Sequence, residues 1–557
     1  MVCAALFTIH YSLFTGCSDV LDTDSELVQF QDDNTLDHPT DSVYSVMGII
    51  NRLQVIADRT VLLGEMRGDL VTTTEAASSD LKRLASFDFS QPNKYNKIAD
   101  YYAVINNCNY YLANVDTTLQ RRGRKLFEYE YAAVKAFRAW TYLELVKAYG
   151  QVPLVTTPVM TEREATAALN LPLSDIQAVC DYFIADLTPY ALTPQPVYDG
   201  FESWLFFIPM RALLGDLCLW SGRYEEAARW YNSYLNDKDN PVALNVSNRV
   251  QWTSPTDYQR PRDAYIVTST SEQLSYIRLE DRVFDGTISD LSNIFSSTTE
   301  NKYYYQAEPS AAMRQISARQ VYCMEYKTET TTDTVYAPRT GLIDDIYIGD
   351  LRLSSNYRLS SLGAQDPYSE YSYRLQTIGK LWDNQVTTYR RTMVYLRYAE
   401  ALNRAGLPQS AFAILKYGLC KENVRNRIDS LEQVKAGSLI DFDENLFTRE
   451  TVIGVHSKGS GDSECNAYYE LPQPTTALAT RQDTVNYQIP LVEDLIIDEM
   501  ALEGSFEGYR YYDLMRVALR RGDPAYLAGP VSRRNGQQDD ALRTLLMDTK
   551  NWYMPRQ

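Results

Sequence analysis

EMALEGSFEGYRYYDLMR, residues 499–516, sets Glu499, Glu503 and Glu507 four apart and follows them at once with Gly508, Arg510, Asp513 and Arg516. On a helix this spacing lines three carboxylates along one face, where each like-charged pair costs a few tenths of a kcal/mol unless cations neutralise it. Arg510 and Arg516 are the nearest cations, so the sequence predicts that they pair with the glutamates. Gly508 lets the chain turn, folding Arg510 back and leaving Asp513 in the first turn of the next helix, near its positive end. C-terminal helices are therefore expected over about 489–520.

Other stretches carry the same helical period. In YEYAAVKAFRAWTYLELVKAYGQVPLV (129–155), Tyr129, Ala132, Ala136, Ala139, Leu143 and Val146 recur every three or four positions and make one face of a long helix. Gly150 and Pro153 stop it. IADYYAVINNCNYYLANVD (98–116) has the same period, which predicts a helical hairpin over about 98–155. Two further hairpins are expected, over about 205–236 and 389–420. In these, Gly222 is followed by Ala227 and Tyr231, and Gly406 by Ala411 and Leu415, at the same offsets of five and nine residues. That spacing resembles the tetratricopeptide unit, in which a turn glycine and a small second-helix residue allow close packing. The fold class is mainly α, an α-solenoid core of such hairpins. From 254 to 383 the texture changes: fourteen tyrosines, much Ser and Thr, and little sustained helical period. A long irregular, loop-rich segment of this kind is functional or disordered, and its aromatic density argues for function as a ligand-binding region.

Composition narrows the chemistry. The 557-residue chain has a net charge of −18, which argues against nucleic-acid binding because that depends on Lys and Arg neutralising phosphates. The basic run Gln120–Lys125 reads as a solvated turn between helices. Beyond Cys3 and Cys17 there are six cysteines, none spaced as C-x-x-C, and several stand in apolar helical stretches. A packing role is their default reading, with disulfides left open. Beyond the leader only His38 and His456 remain, so a histidine-based metal site or a Ser-His-Asp triad has little support. No dinucleotide, P-loop or H-E-x-x-H motif occurs. No metal and no cofactor are expected.

The chain begins MVCAALFTIHYSLFTGCSDVLDTDSE. A permanent membrane helix needs about 20 apolar residues, and the run over 1–16 is shorter and holds His10 and Tyr11. It reads as a removable export signal. Thr15, Gly16 and Cys17 resemble the lipobox of bacterial lipoproteins, in which the cysteine becomes the acylated N-terminus. Two departures are Phe14, where Leu is usual, and the lack of a preceding Lys or Arg. Residues 17–40 then read as a lipidated tether to a domain over 41–557.

Residues 499–516 resemble the C-terminal signature of the SusD/RagB family, E-x-x-x-E-x-x-x-E-G-x-R-x-x-D-L-x-R. The 129–155 stretch is similar to that family's first block, with Arg138, Ala139, Tyr142, Leu145, Tyr149, Gly150, Pro153 and Leu154 matching. LIDDIYIGDLRL (342–353) matches through Asp350 and Arg352. VYLRYAEALNRAG (394–406) matches through Arg397, Ala399, Glu400 and Gly406. The closing NWYMPRQ lacks the family's second proline. The resemblance implies a surface-exposed lipoprotein of the Gram-negative outer membrane with tetratricopeptide-like hairpins. Such a protein pairs with a SusC-like TonB-dependent transporter and captures oligosaccharides, or in some members peptides, without catalysis. The matched residues are structural in the family, so they locate the fold rather than the ligand.

For the ligand, side-chain chemistry nominates candidates. Sugar C–H faces lie on aromatic rings that join an apolar face to a polar tip. The candidate platforms are Phe89, Tyr95, Trp252, Tyr303, Tyr304 and Tyr305, with Asn93 and Asp69 as hydrogen-bonding neighbours. Among three consecutive tyrosines, alternation exposes at least one. A glycoside hydrolase would need two carboxyl groups roughly 5–10 Å apart, a distance Glu499 and Glu503 would meet. Their place in the structural signature and the adjacent arginines favour ion pairing. An intracellular tetratricopeptide adaptor would share the hairpins, but not the lipobox or the Tyr-rich stretch.

Overall fold

The computed structural model describes residues 39–198, 202–245, 249–250, 252–254, 257–261, 272–281, 286–296, 305–327, 329–337, 349–361, 374–381 and 383–556. The expected signal (1–16), Cys17, nearly all of the tether, Tyr303 and Tyr304 lie outside them. Helix α1 (Pro39–Glu65) already begins inside the segment read as tether. Its apolar residues Val46, Ile49, Ile50, Leu53, Ile56 and Ala57 recur three or four apart and are buried, as a helix laid on a core requires.

Helices α2 (Ile98–Asn114) and α3 (Glu128–Tyr149) form the first hairpin, joined by the exposed strand pair Gln120–Arg121 and Arg124–Lys125. From Ala132 to Tyr149 α3 is buried on nearly every side, which explains its mixture of small and aromatic residues. Tyr129, read from its spacing as part of the inner stripe, is 41% exposed because the first turn overhangs the core. Gly150 ends α3 with φ +75, and the ring of Tyr553 lies against it. Helix α4 (Ile176–Leu187), capped by the Asp175 side chain, packs between α3 and α5 (Met210–Trp220). Helix α6 (Tyr224–Leu235) folds back on α5. The Tyr231 ring occupies the space that a side chain at Gly215 would fill, so the small residue and the large one are read together.

Helix α7 (Arg391–Arg404) lies against α6 and pairs with α8 (Pro408–Lys416). Gly406, φ +82, makes the turn, and Pro408 starts the second helix where its missing N–H is harmless. Helix α9 (Arg481–Gly504) opens with a Thr480/Asp483 capping box and crosses α7 and α8, and α10 (Arg510–Arg521) returns along it to α1. The chain is thus mainly helical, a succession of hairpins closed by α1, α9 and α10. The turn between α9 and α10 is held by two glycines: Gly508, φ +90, presses its carbonyl to within 1.7 Å of where a Cβ on Gly64 would stand. Only glycine tolerates that approach.

Between α6 and α7 the described residues form short antiparallel pairs and three short helices, Leu291–Phe295, Ala311–Ala318 and Leu351–Asn356. Tyr322–Lys327 pairs with Thr332–Ala337, Tyr357–Ser361 with Arg374–Ile378, and Gln273–Arg278 with Gln385–Arg390. The strand Val71–Thr73 recruits Ala307–Pro309, tying this region to the end of α1.

Candidate functional site

Glu499 and Glu503 lie on α9 and Glu507 just past its end, but Arg510 and Arg516 are not their partners. Arg352 donates to Asp350 at 2.9 and 2.8 Å, to Glu499 at 2.7 Å and to Glu503 at 2.9 Å. Arg390 donates to Glu503 at 2.5 Å and to Glu507 at 2.6 Å, and Lys380 to Glu507 at 2.7 Å. The turn at Gly508 carries the two expected arginines elsewhere. Arg510 forks onto Asp69 at 2.7 and 3.0 Å, and Arg516 bonds Glu400 at 2.9 and 2.5 Å and Asp513 at 2.9 Å. The cations that reach the carboxylates are instead Arg352 and Lys380 from the irregular region and Arg390 from the strand just after it, more than a hundred residues away in sequence.

These carboxylates are inside the protein: Glu499 is 1% and Glu503 0% exposed. Burial alone would raise both, yet the neighbouring groups outweigh it. Arg352 and His456 hold Glu499 down at about 2, and Arg390, Lys458 and Arg352 hold Glu503 well below the usual carboxylate range. His456 Nδ1 lies 2.6 Å from Glu499, and its ring stacks on Tyr469 at 3.7 Å. Glu272 joins the cluster through Lys458 and Thr392. The arrangement clamps the irregular region onto the helical core. Arg138 does similar work nearer the N-terminus, joining α2 to α4 through Asn109 at 2.9 Å and Asp186 at 3.0 Å. Arg397 joins α7 to α5 through Asp216 at 2.7 Å.

Several residues nominated for ligand contact are engaged within the fold. Both Asp69 oxygens are taken by Arg510, and Asp69 is 2% exposed. Asn93 donates to the Asp80 carbonyl at 2.9 Å and accepts from the Tyr95 amide at 3.0 Å, so it shapes a turn. Tyr95 is buried and Phe89 half-buried against the core. Tyr305 is pinned: its amide donates to Asn293 at 3.2 Å, its carbonyl accepts from Thr74 at 2.6 Å and its hydroxyl bonds Glu308 at 2.7 Å. Trp252 stands on a short strand, 252–254, paired with 257–261.

Two cavities differ in what they can hold. A polar one inside the core, beside Glu144, Lys147, Asp216, Arg397, Asp513 and Arg516, measures about 40 Å³, room for water and not for a sugar ring. At the surface, Arg249, Glu325, Lys416, Arg449, Asp462 and Glu464 line an open cleft of about 210 Å³. Here donors and acceptors alternate. Arg449 bonds Glu464 at 2.9 Å, Arg249 pairs with Asp462, and Lys416 reaches Glu470 at 2.5 Å. The hairpin 322–337 gives the cleft Glu325, and the turn 461–470 gives it Asp462, Ser463, Glu464 and Cys465. Outside that lining each segment also carries a tyrosine. Tyr468 is 71% exposed and meets the half-exposed Tyr336 edge to face, with centroids 5.1 Å apart. Tyr469 is fixed inward by His456, which turns Tyr468 out. The exposure of Tyr468 was legible in Asn466-Ala467-Tyr468-Tyr469, where the alternation applied to 303–305 exposes one ring of two. Tyr336, on a strand, carried no comparable signal.

No protein-family model matches the sequence, and no curated protein matches it. Solved structures do match, over most of their length and of this chain. A SusD superfamily protein from Bacteroides vulgatus is 14% identical, with a TM-score of 0.56 over 93% of this chain and 95% of that one. Surface glycan-binding protein A from Bacteroides uniformis is 14% identical, with a TM-score of 0.56 over 93% and 96%. A SusD-like carbohydrate binding protein from Bacteroides fragilis is 14% identical, with a TM-score of 0.54 over 86% of each chain. The chain has the fold of the SusD superfamily.

Proposed function

We propose that this protein is a nutrient-binding lipoprotein of the outer membrane, anchored through Cys17, that captures an oligosaccharide and passes it unaltered to a SusC-like TonB-dependent transporter. The observation that carries the reading is the meeting of exposed Tyr468 with half-exposed Tyr336, on two segments that also line a polar cleft, an arrangement suited to a sugar's C–H face and hydroxyl groups. The likeness to structures described as carbohydrate binding and glycan-binding supports it. The ion-paired, buried state of Glu499 and Glu503 supports capture over hydrolysis. Trp252, Tyr303 and Tyr304 are proposed as additional platforms.

An open cleft with few stacking rings gives an affinity of about micromolar to millimolar. Calorimetric titration of the purified chain with glycan and peptide panels tests the reading. Glycan binding with the glycan recovered intact supports it. Binding of peptides alone makes it a peptide-capturing relative.

A further inference from the structure

Cys323 and Cys465 are 142 positions apart in sequence, yet their sulfurs lie 3.1 Å from each other. Cys323 is the second residue of the strand Tyr322–Lys327. Its carbonyl accepts the Asp462 amide at 2.6 Å, and its backbone bridges to Gly461. Gly461 has φ +81, and a Cβ there would sit 1.9 Å from the Cys323 carbonyl oxygen. Glycine therefore permits the two backbones to approach this closely. Cys465 ends the short turn Ser463–Cys465, where its thiol donates to the Asp462 carbonyl at 3.1 Å. A disulfide holds its sulfurs at about 2.05 Å, about 1 Å closer than these, a change within reach of side-chain rotation. Cys108, Cys180, Cys218 and Cys420, by contrast, are packed in the apolar core.

We propose that Cys323 and Cys465 form a disulfide that staples the 322–337 hairpin to the 461–470 turn. The oxidant is a disulfide, either a small one or that of a thiol oxidase. Cys465, the more exposed of the two, loses its proton and attacks the oxidant, forming a mixed disulfide and releasing one thiol. Cys323 then loses its proton and attacks the Cys465 sulfur, expelling the second thiol. Two cysteines are oxidised by two electrons, the oxidant disulfide is reduced to two thiols, and the two protons end on those thiols. Burial pushes both cysteines above the ordinary thiol range, so the exchange is slow without a catalyst. An oxidising compartment outside the cytoplasm is where such a bond persists. The staple fastens the two segments that carry Tyr336 and Tyr468, and it stands whether or not those rings bind a sugar.

The test uses the folded full-length chain. It is incubated with oxidised glutathione, unfolded in iodoacetamide without reductant, digested and weighed. The expected result is a peptide pair joined through Cys323 and Cys465, two hydrogens lighter than its separate parts, and absent from a Cys465→Ser chain. The oxidised wild type should also melt higher than the same protein in reductant, whereas Cys465→Ser should melt alike in both. Recovery of both cysteines alkylated in the oxidised wild type, or of either one joined to a different cysteine, overturns the proposal.

Discussion

Replacing Glu503 by Gln takes one negative charge from between two buried guanidinium groups. Glu503 Oε1 accepts from Arg390 at 2.5 Å and Oε2 from Arg352 at 2.9 Å, and none of the three side chains reaches solvent. Removing one member of a buried pair costs about 3–5 kcal/mol, because its partner is left uncompensated. Arg352 retains Asp350 and Glu499, and Arg390 retains Glu507. The loss should therefore fall near the lower end, about 3 kcal/mol. Denaturant unfolding at pH 7 should show the midpoint falling with the slope unchanged. The effect carries a pH signature. A carboxylate held below its ordinary value stabilises the fold above the unfolded pKa of about 4.3, and that contribution is lost as the pH falls below it. The gap between wild type and Glu503→Gln should therefore close in acid. A variant within about 0.5 kcal/mol of wild type, the range of an ordinary surface substitution, would refute the clamp. So would a glycan-cleaving activity that a normally folded Glu503→Gln had lost.

Glu65 has the opposite sign. Burial pushes its carboxyl up to about 8, against the amides of Gly508 and Phe506 that pull it down. Its proton therefore favours the fold at low pH, and this advantage shrinks as the pH rises from about 4.3 towards 8, by on the order of 1.4 kcal/mol per unit. Wild type should lose stability relative to Glu65→Gln across that window, and a pH-independent difference between the two would contradict the assignment. For the anchor, Cys17→Ala should leave the domain folded, abolish incorporation of labelled fatty acid and shift the protein from the membrane to the soluble fraction. Continued labelling and pelleting would remove Cys17 from the account.

The helical half was legible in the sequence because its signals are local. Gly222 with Ala227 and Gly406 with Ala411 announce hairpins within a dozen residues, and Gly150 stops α3 where the chain indeed leaves the helix. The carboxylate stripe was legible as a charge problem, but not its solution. Nearest-neighbour pairing chose Arg510 and Arg516, whereas Arg352, Lys380 and Arg390 arrive through tertiary structure. The site was harder for the same reason. Asp69 and Asn93 look like free polar groups in sequence, and only the fold shows Arg510 and the Tyr95 amide waiting for them. Exposure of one ring in Tyr468-Tyr469 was within reach of alternation. That Tyr336 meets it depends on a hairpin more than a hundred residues away.

The central claim is that the Tyr336–Tyr468 surface holds a glycan, and calorimetry on wild type and Tyr468→Ala tests it most directly. Tyr468 is largely solvent-exposed, so its loss should leave the melting temperature unchanged. An aromatic anchor is worth about 2 kcal/mol or more, so the variant should bind an oligosaccharide about thirty-fold more weakly than wild type. An oligosaccharide bound equally well by wild type and by folded Tyr468→Ala would contradict the claim.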